Sequence, residues 1–133
     1  MVVLDTSVVY KWFTTTEEKR DEAKAFLIRH LDASEPIWVP DLFLYEIVNA
    51  WTTKSVLTKD EVNENIVLLQ TYALTLIPSS YSLVMKASQL AKTFAISVYD
   101  AMYIALAEEN ECHIITADEK LLKKVSFSFV KGL

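Results

Sequence analysis

The chain opens on Val2, Val3 and Leu4, which run directly into Asp5, Thr6 and Ser7. An apolar run without alternation suits a strand buried on both faces, and the polar residues then stand at its C-terminal end. Similar short runs recur at 37–39 between Pro36 and Pro40, at 74–77 before Pro78, at 112–115 and at 125–130. Between them apolar residues return at helical spacing, as in Val8, Val9 and Trp12, or Ala23, Phe26, Leu27 and Leu31. Helices are predicted over about 6–13, 17–32, 42–54, 58–72, 80–94, 97–110 and 118–124. Thr14 with Glu17, Thr15 with Glu18, Thr58 with Glu61 and Ser97 with Asp100 have capping-box spacing, and Asp41 is placed to cap the third helix. Strands separated by helices throughout predict a mostly parallel sheet covered on both faces, a three-layer α/β/α sandwich.

Composition adds bounds. A chain of 133 residues with 52% apolar content is the size of one domain, 1–133, with a single well-filled core. Gly132 is the only glycine, so no G-x-G-x-x-G or P-loop exists and nucleotide binding by those motifs is excluded. The lone Cys112 rules out an internal disulfide. The longest apolar stretch, 42–51, holds Glu46 and Asn49 and is too short to span a bilayer, and Asp5 interrupts the first apolar run. A soluble, cytoplasmic protein without a membrane partner is expected. The net charge of −5 speaks against a nucleic-acid partner at first sight. Setting aside four acids that could share a metal leaves −1, so composition decides nothing about RNA.

Four acids stand beside residues that must be buried. Asp5 and Asp118 each follow an apolar strand, Asp100 opens the helix containing 101–107, and Glu46 interrupts Leu42 to Val48. Capping explains the aspartates individually, at about 1 kcal/mol each. It cannot explain Glu46, a mid-helix acid with no Lys or Arg at i±3 or i±4. A buried carboxylate needs hydrogen-bond partners, a distant cation or a metal. If the first and fourth strands are neighbours, Asp5 and Asp118 lie side by side at the crevice where open α/β sheets bind ligands. Converging carboxylates repel, and a hard divalent ion relieves them; oxygen-only ligation favours Mg²⁺ or Mn²⁺, one or two ions, over zinc. Such a site is equipped for phosphodiester hydrolysis.

The N-terminal hydrophobic-Asp-Thr-Ser, Glu46 in an early apolar helix, Val98-Tyr99-Asp100-Ala101-Met102-Tyr103 and Ile115-Thr116-Ala117-Asp118 together resemble a PIN-domain ribonuclease of the VapC toxin type. The resemblance implies five parallel strands in the order 3-2-1-4-5 and a Mg²⁺- or Mn²⁺-dependent endoribonuclease. It also implies a homodimer, with a small antitoxin whose tail covers the acidic cleft. Asp5, Glu46, Asp100 and Asp118 then match the acidic quartet, as metal ligands and positioners of the attacking water. Thr6 or Ser7, and Thr116, match hydroxyl positions nearby, with Thr116 orienting Asp118 or a metal-bound water. Lys11, Lys120, Lys123 and Lys124 could line the cleft mouth, though a solvated face is expected for most of them. Trp12, Trp38, Trp51, Tyr45 and Tyr103 are expected mostly in the core, with some aromatics at a dimer or antitoxin interface.

Two other readings compete. An Asp-nucleophile phosphatase of haloacid-dehalogenase type would use Asp5, but needs a second Asp where this chain has Ser7. A catalytically inactive PIN-like interaction module would tolerate loss of the acids, all four of which are present.

Overall fold

The computed structural model describes residues 1–133. Its centre is a sheet of five strands, β1 (Val2–Leu4), β2 (Ile37–Pro40), β3 (Thr75–Ile77), β4 (His113–Thr116) and β5 (Val130–Gly132). They are all parallel and lie in the order β3-β2-β1-β4-β5. The chain therefore moves outward from β1 to β3, then returns to the other side of β1. That reversal makes the C-terminal edge between β1 and β4 a topological switch point, where neighbouring loops part and leave a crevice. The register pairs Leu4 with Ile115, so Asp5 and Thr116 are the next residues on either side of that crevice.

Seven helices cover the sheet: α1 (Thr6–Phe13), α2 (Arg20–Leu31), α3 (Leu42–Thr53), α4 (Lys59–Tyr72), α5 (Tyr81–Phe94), α6 (Val98–Glu109) and α7 (Glu119–Lys124). Right-handed crossovers place α1 to α4 on one face and α5 to α7 on the other. The packing agrees, since α1 meets α2 and α3, α3 meets α4, and α5 meets α6. Helix α6 is apolar all round because it is enclosed: it lies on β1, β2 and β4 and is roofed by α5, and Ala101 to Ala107 are all buried. Alanines on both sides, Ala87 and Ala91 against Ala101 and Ala105, let the two helices approach closely. No single helix is long and apolar enough to cross a membrane.

Several local expectations change. Neither capping box at Thr14 or Thr15 forms; α2 begins only at Arg20, after Lys19 in a left-handed conformation (φ 55°). Glu17 instead reaches back to the Lys11 ammonium at 2.9 Å, a charge-assisted bond that outcompetes a helix cap. Asp41 makes no cap either; its carboxylate accepts from Ser79 N (3.0 Å) and Ser79 Oγ (2.6 Å), tying the start of α3 to the turn after β3. The Thr58–Glu61 box forms as predicted. The last strand is Val130–Gly132 rather than 125–130, because Phe127 and Phe129 stack on one another (5.1 Å, 23°) in a turn closed by Val130 N donating to Phe127 O. Alternating large apolar residues there mimic a strand. Trp12, Trp51 and Tyr103 are buried, but Tyr45 is 80% exposed.

Candidate active site

Asp5 leaves β1 at the switch point and is 8% exposed. Its backbone N–H donates to Ile115 O (3.0 Å), which locks it to the neighbouring strand. Although it begins α1, its side chain caps nothing. Two hydroxyls, Ser7 Oγ and Thr116 Oγ1, each donate to Asp5 Oδ2 at 2.6 Å. Both land on one oxygen, so Oδ1 takes no side-chain hydrogen bond. Ser7 Oγ also accepts from Ala117 N (3.0 Å), and Thr116 Oγ1 accepts from Asp118 N (3.0 Å). Asp5, α1 and the turn after β4 are thus one hydrogen-bonded unit. Burial pushes the Asp5 carboxyl above its ordinary range, the Ser7 and Thr116 bonds oppose this, and the charge of Asp118 adds to the rise.

Glu46 enters from α3, with α1 brought against it by helix packing. Tyr103 OH donates to Glu46 Oε1 at 2.6 Å, Thr6 Oγ1 lies 3.2 Å from the same oxygen, and the two hydroxyls are 2.7 Å apart. Each hydroxyl has one proton: that of Tyr103 goes to Glu46, and that of Thr6 can go to Glu46 or to the Tyr103 oxygen. Oε2 is left without a hydrogen bond. The Glu46 carboxyl is raised by burial, held down by Tyr103 and raised again by the charge of Asp5. The Tyr103 phenol, buried against a carboxylate, is held firmly protonated. The cation required by Glu46's place in the sequence is therefore partly replaced by hydroxyls.

Asp100 stands in the first turn of α6, whose N-terminus is capped by Ser97 Oγ accepting from Asp100 N (3.0 Å). Burial raises its carboxyl, Ser97 opposes this, and the charges of Asp5 and Asp118 raise it further. Asp118 does cap its helix: Oδ1 accepts from Lys120 N (2.8 Å) and Leu121 N (3.1 Å). Capping and a place in the site are not alternatives here, because the cap uses one oxygen.

The four acids meet at the C-terminal edge of the sheet. Asp5 feels Asp118, Glu46 feels Asp5 and Asp100, and Asp100 feels Asp5 and Asp118; only Lys124, acting weakly on Asp100, opposes them. As the side chains stand, no three are gathered closely enough to close on one ion. The donor set is all oxygen, is short of positive charge, and leaves Asp5 Oδ1 and Glu46 Oε2 free. This fits a hard divalent cation held in an open site with water completing its shell, and does not fit zinc.

A model of the PIN domain family matches residues 2–128 of this sequence. The chain belongs to the PIN-domain family. Ribonuclease VapC3 of Pyrobaculum aerophilum is a PIN-family relative, 30% identical over 127 residues that cover 92% of this chain and 93% of the relative. Among solved structures, VapBC2 of Rickettsia felis, bound to a promoter DNA fragment, is similar with a TM-score of 0.74 at 14% identity, covering 100% of this chain and 99% of that one. A toxin–antitoxin complex from Klebsiella pneumoniae gives a TM-score of 0.71 at 16% identity, over 98% and 95%. The strand order anticipated for a PIN domain is the order found.

Hydrogen bonds join Asp5, Thr116 and Asp118 at the crevice, while Glu46 and Asp100 stand near enough for the charge of Asp5 to act on them but are not drawn into one cluster. Thr116 holds the Asp5 carboxylate as well as the Asp118 backbone, a wider role than expected of it. Thr6 and Ser7 both contribute, each to a different acid. Tyr103 was overlooked as a core aromatic. Its signal was present: a tyrosine three residues after Asp100 shares its helix face, and a buried phenol needs a hydrogen-bond partner.

Proposed function

We propose that this PIN domain, acting as one unit over 1–133, is a Mg²⁺- or Mn²⁺-dependent endoribonuclease and the toxin of a toxin–antitoxin pair. The observation that carries the reading is the convergence of Asp5, Glu46, Asp100 and Asp118 on one crevice with almost no opposing charge. The relative named as a ribonuclease supports the substrate class. A bound divalent ion would lower the pKa of water and stabilise charge developing on the phosphate oxygens. Asp5, through Oδ1, and Asp100 and Asp118 are the ligands proposed for it, with Glu46 Oε2 free to accept a proton from the attacking water. Its raised proton affinity suits general-base work. Thr116 and Ser7 fix the rotamer of Asp5, while Tyr103 and Thr6 fix that of Glu46.

The rival phosphatase reading loses ground in the structure, because Ser7, at the position where a general acid would stand, donates to Asp5 Oδ2. Two exposed apolar regions support an antitoxin and a second copy of the chain as partners. One is a groove of about 420 Å³ between α3, α4 and β3, lined by Phe43, Leu44, Val48, Ile66 and Leu76, suited to a small antitoxin. The other is the exposed face at the start of α5, with Tyr81, Val84 and Met85, suited to a homodimer. A cytoplasmic location agrees with an RNA substrate.

The test is cleavage of labelled single-stranded RNA in EDTA, Mg²⁺ and Mn²⁺, with Asp5→Asn and Asp100→Asn alongside. Cleavage is expected only with a divalent ion and falls at least ~100-fold in either variant. Cleavage in EDTA, or full activity in both variants, overturns the metal-dependent mechanism, and no cleavage under any of these conditions leaves the interaction module.

A further inference from the structure

Lys11 is the one lysine that the fold nearly buries, at 9% exposure, and it does so one helical turn from Ser7. Lysines are seldom buried unless fully paired. This one has a single partner, Glu17 Oε2 at 2.9 Å, while an ammonium carries three protons. Lys11 also separates two cavities. One, of about 400 Å³, is lined by Thr6, Ser7, Tyr10 and Lys54 besides Lys11 and Glu17. The other, of about 270 Å³, reaches Thr116 and Ala117.

The larger cavity continues the acidic crevice. On α1, Thr6 and Ser7 lead one turn on to Tyr10 and Lys11; on α3, Glu46 leads to Ala50 and Lys54 at i+4 and i+8. The cleft is thus negative where Asp5 and Glu46 stand and positive a turn away. A polyanionic strand laid across the acids places its next phosphate at the positive end, where an ammonium with unused protons receives it. Glu17 holds that ammonium meanwhile. It belongs to the turns between α1 and α2 and is about one-third exposed, so it can leave for water.

Resting on the nuclease reading above, we propose that Lys11 binds the RNA phosphate adjacent to the scissile one, and that Glu17 is a built-in occupant which that phosphate displaces. The test is fluorescence anisotropy of a short fluorescein-labelled single-stranded RNA in Mg²⁺, over a salt series, in an Asp100→Asn background that prevents cutting. Lys11→Met is expected to weaken binding about tenfold and to reduce the slope of log K against log salt by about 0.7, while Lys11→Arg keeps the slope. Glu17→Gln is expected to tighten binding about threefold, a gain that disappears when residue 11 is Met. Affinity and slope unchanged in Lys11→Met, with only the melting temperature lowered, make Lys11 a structural brace and overturn the proposal alone. A Glu17→Gln gain that persists undiminished with Met at 11 overturns the displacement. Absence of RNA binding with Lys11 intact overturns the nuclease reading and this one together.

Discussion

Replacing Tyr103 by Phe removes one oxygen from a fully enclosed position and leaves the ring in place. Glu46 Oε1 then loses its 2.6 Å donor and keeps only Thr6, at 3.2 Å. A buried hydrogen bond to a charged acceptor is worth about 1.5–3 kcal/mol. With ~2.1 cal/mol/K of unfolding entropy per residue, 133 residues give roughly 280 cal/mol/K, so a loss of about 2 kcal/mol lowers Tm by ~7 °C. The loss depends on Glu46 being ionised. Burial already raises the Glu46 carboxyl above the ordinary range of a glutamate, and the Tyr103 bond pulls against that rise. In the variant the folded protein therefore binds this proton still more tightly than the unfolded chain does. Stability is kept at acid pH, where Glu46 is protonated in both states, and falls as pH rises from the unfolded value through the folded one. Thermal melts of the metal-free protein in EDTA, at about pH 4 and about pH 8, read this directly. The deficit is small at the lower pH and full at the higher. A deficit equal at both, or under ~0.5 kcal/mol at the higher, would show that Tyr103 serves packing and refute the charge-assisted bond.

Three further outcomes follow from the same site. Asp5→Asn is expected to stabilise the metal-free protein by ~1 kcal/mol at neutral pH, because burial holds the Asp5 carboxyl above the ordinary range of an aspartate and ionisation opposes folding at higher pH; the gain vanishes in acid. Urea titrations at two pH values check this, and a loss of stability at neutral pH contradicts it. Mg²⁺ or Mn²⁺ should raise the Tm of the unaltered protein more than that of the variant. Thr116→Val keeps the shape of a fully buried side chain but strips a donor from Asp5 Oδ2 and an acceptor from Asp118 N, at about 1–3 kcal/mol. RNA cleavage should fall with it, since Asp5 loses one of its two fixed contacts; unchanged turnover would leave Thr116 a strand residue only.

The architecture was legible because strands buried on both faces and helices with an apolar stripe differ in period, and tertiary packing had little to override. The acids were legible for a related reason: a carboxylate beside residues that must be buried demands an explanation. Glu46 demanded one most, yet its neighbours in sequence could not show that Tyr103, 57 positions away, supplies a donor. Boundaries failed where a long-range contact outcompeted a local one. Glu17 is drawn from a helix cap to Lys11, and Asp41 from a cap to Ser79, 38 residues on. Two helix ends fall at Ala73 and Ala95, both left-handed with φ of 52°, where a glycine would have marked the stop. Lys11 was legible only as one of several lysines that could line the cleft mouth, and only the packing of α1 shows that it alone is nearly buried.

The pairing of β1 with β4 has a consequence for synthesis. Asp5 is made more than a hundred residues before the strand that flanks it and carries Thr116. Until then β1 has a raw edge, and neither the Thr116 hydroxyl nor Asp118 is at hand. The nascent chain carries three of the four acids on segments that no completed sheet aligns. The acidic crevice is thus assembled in one late step, when β4 slots in beside β1.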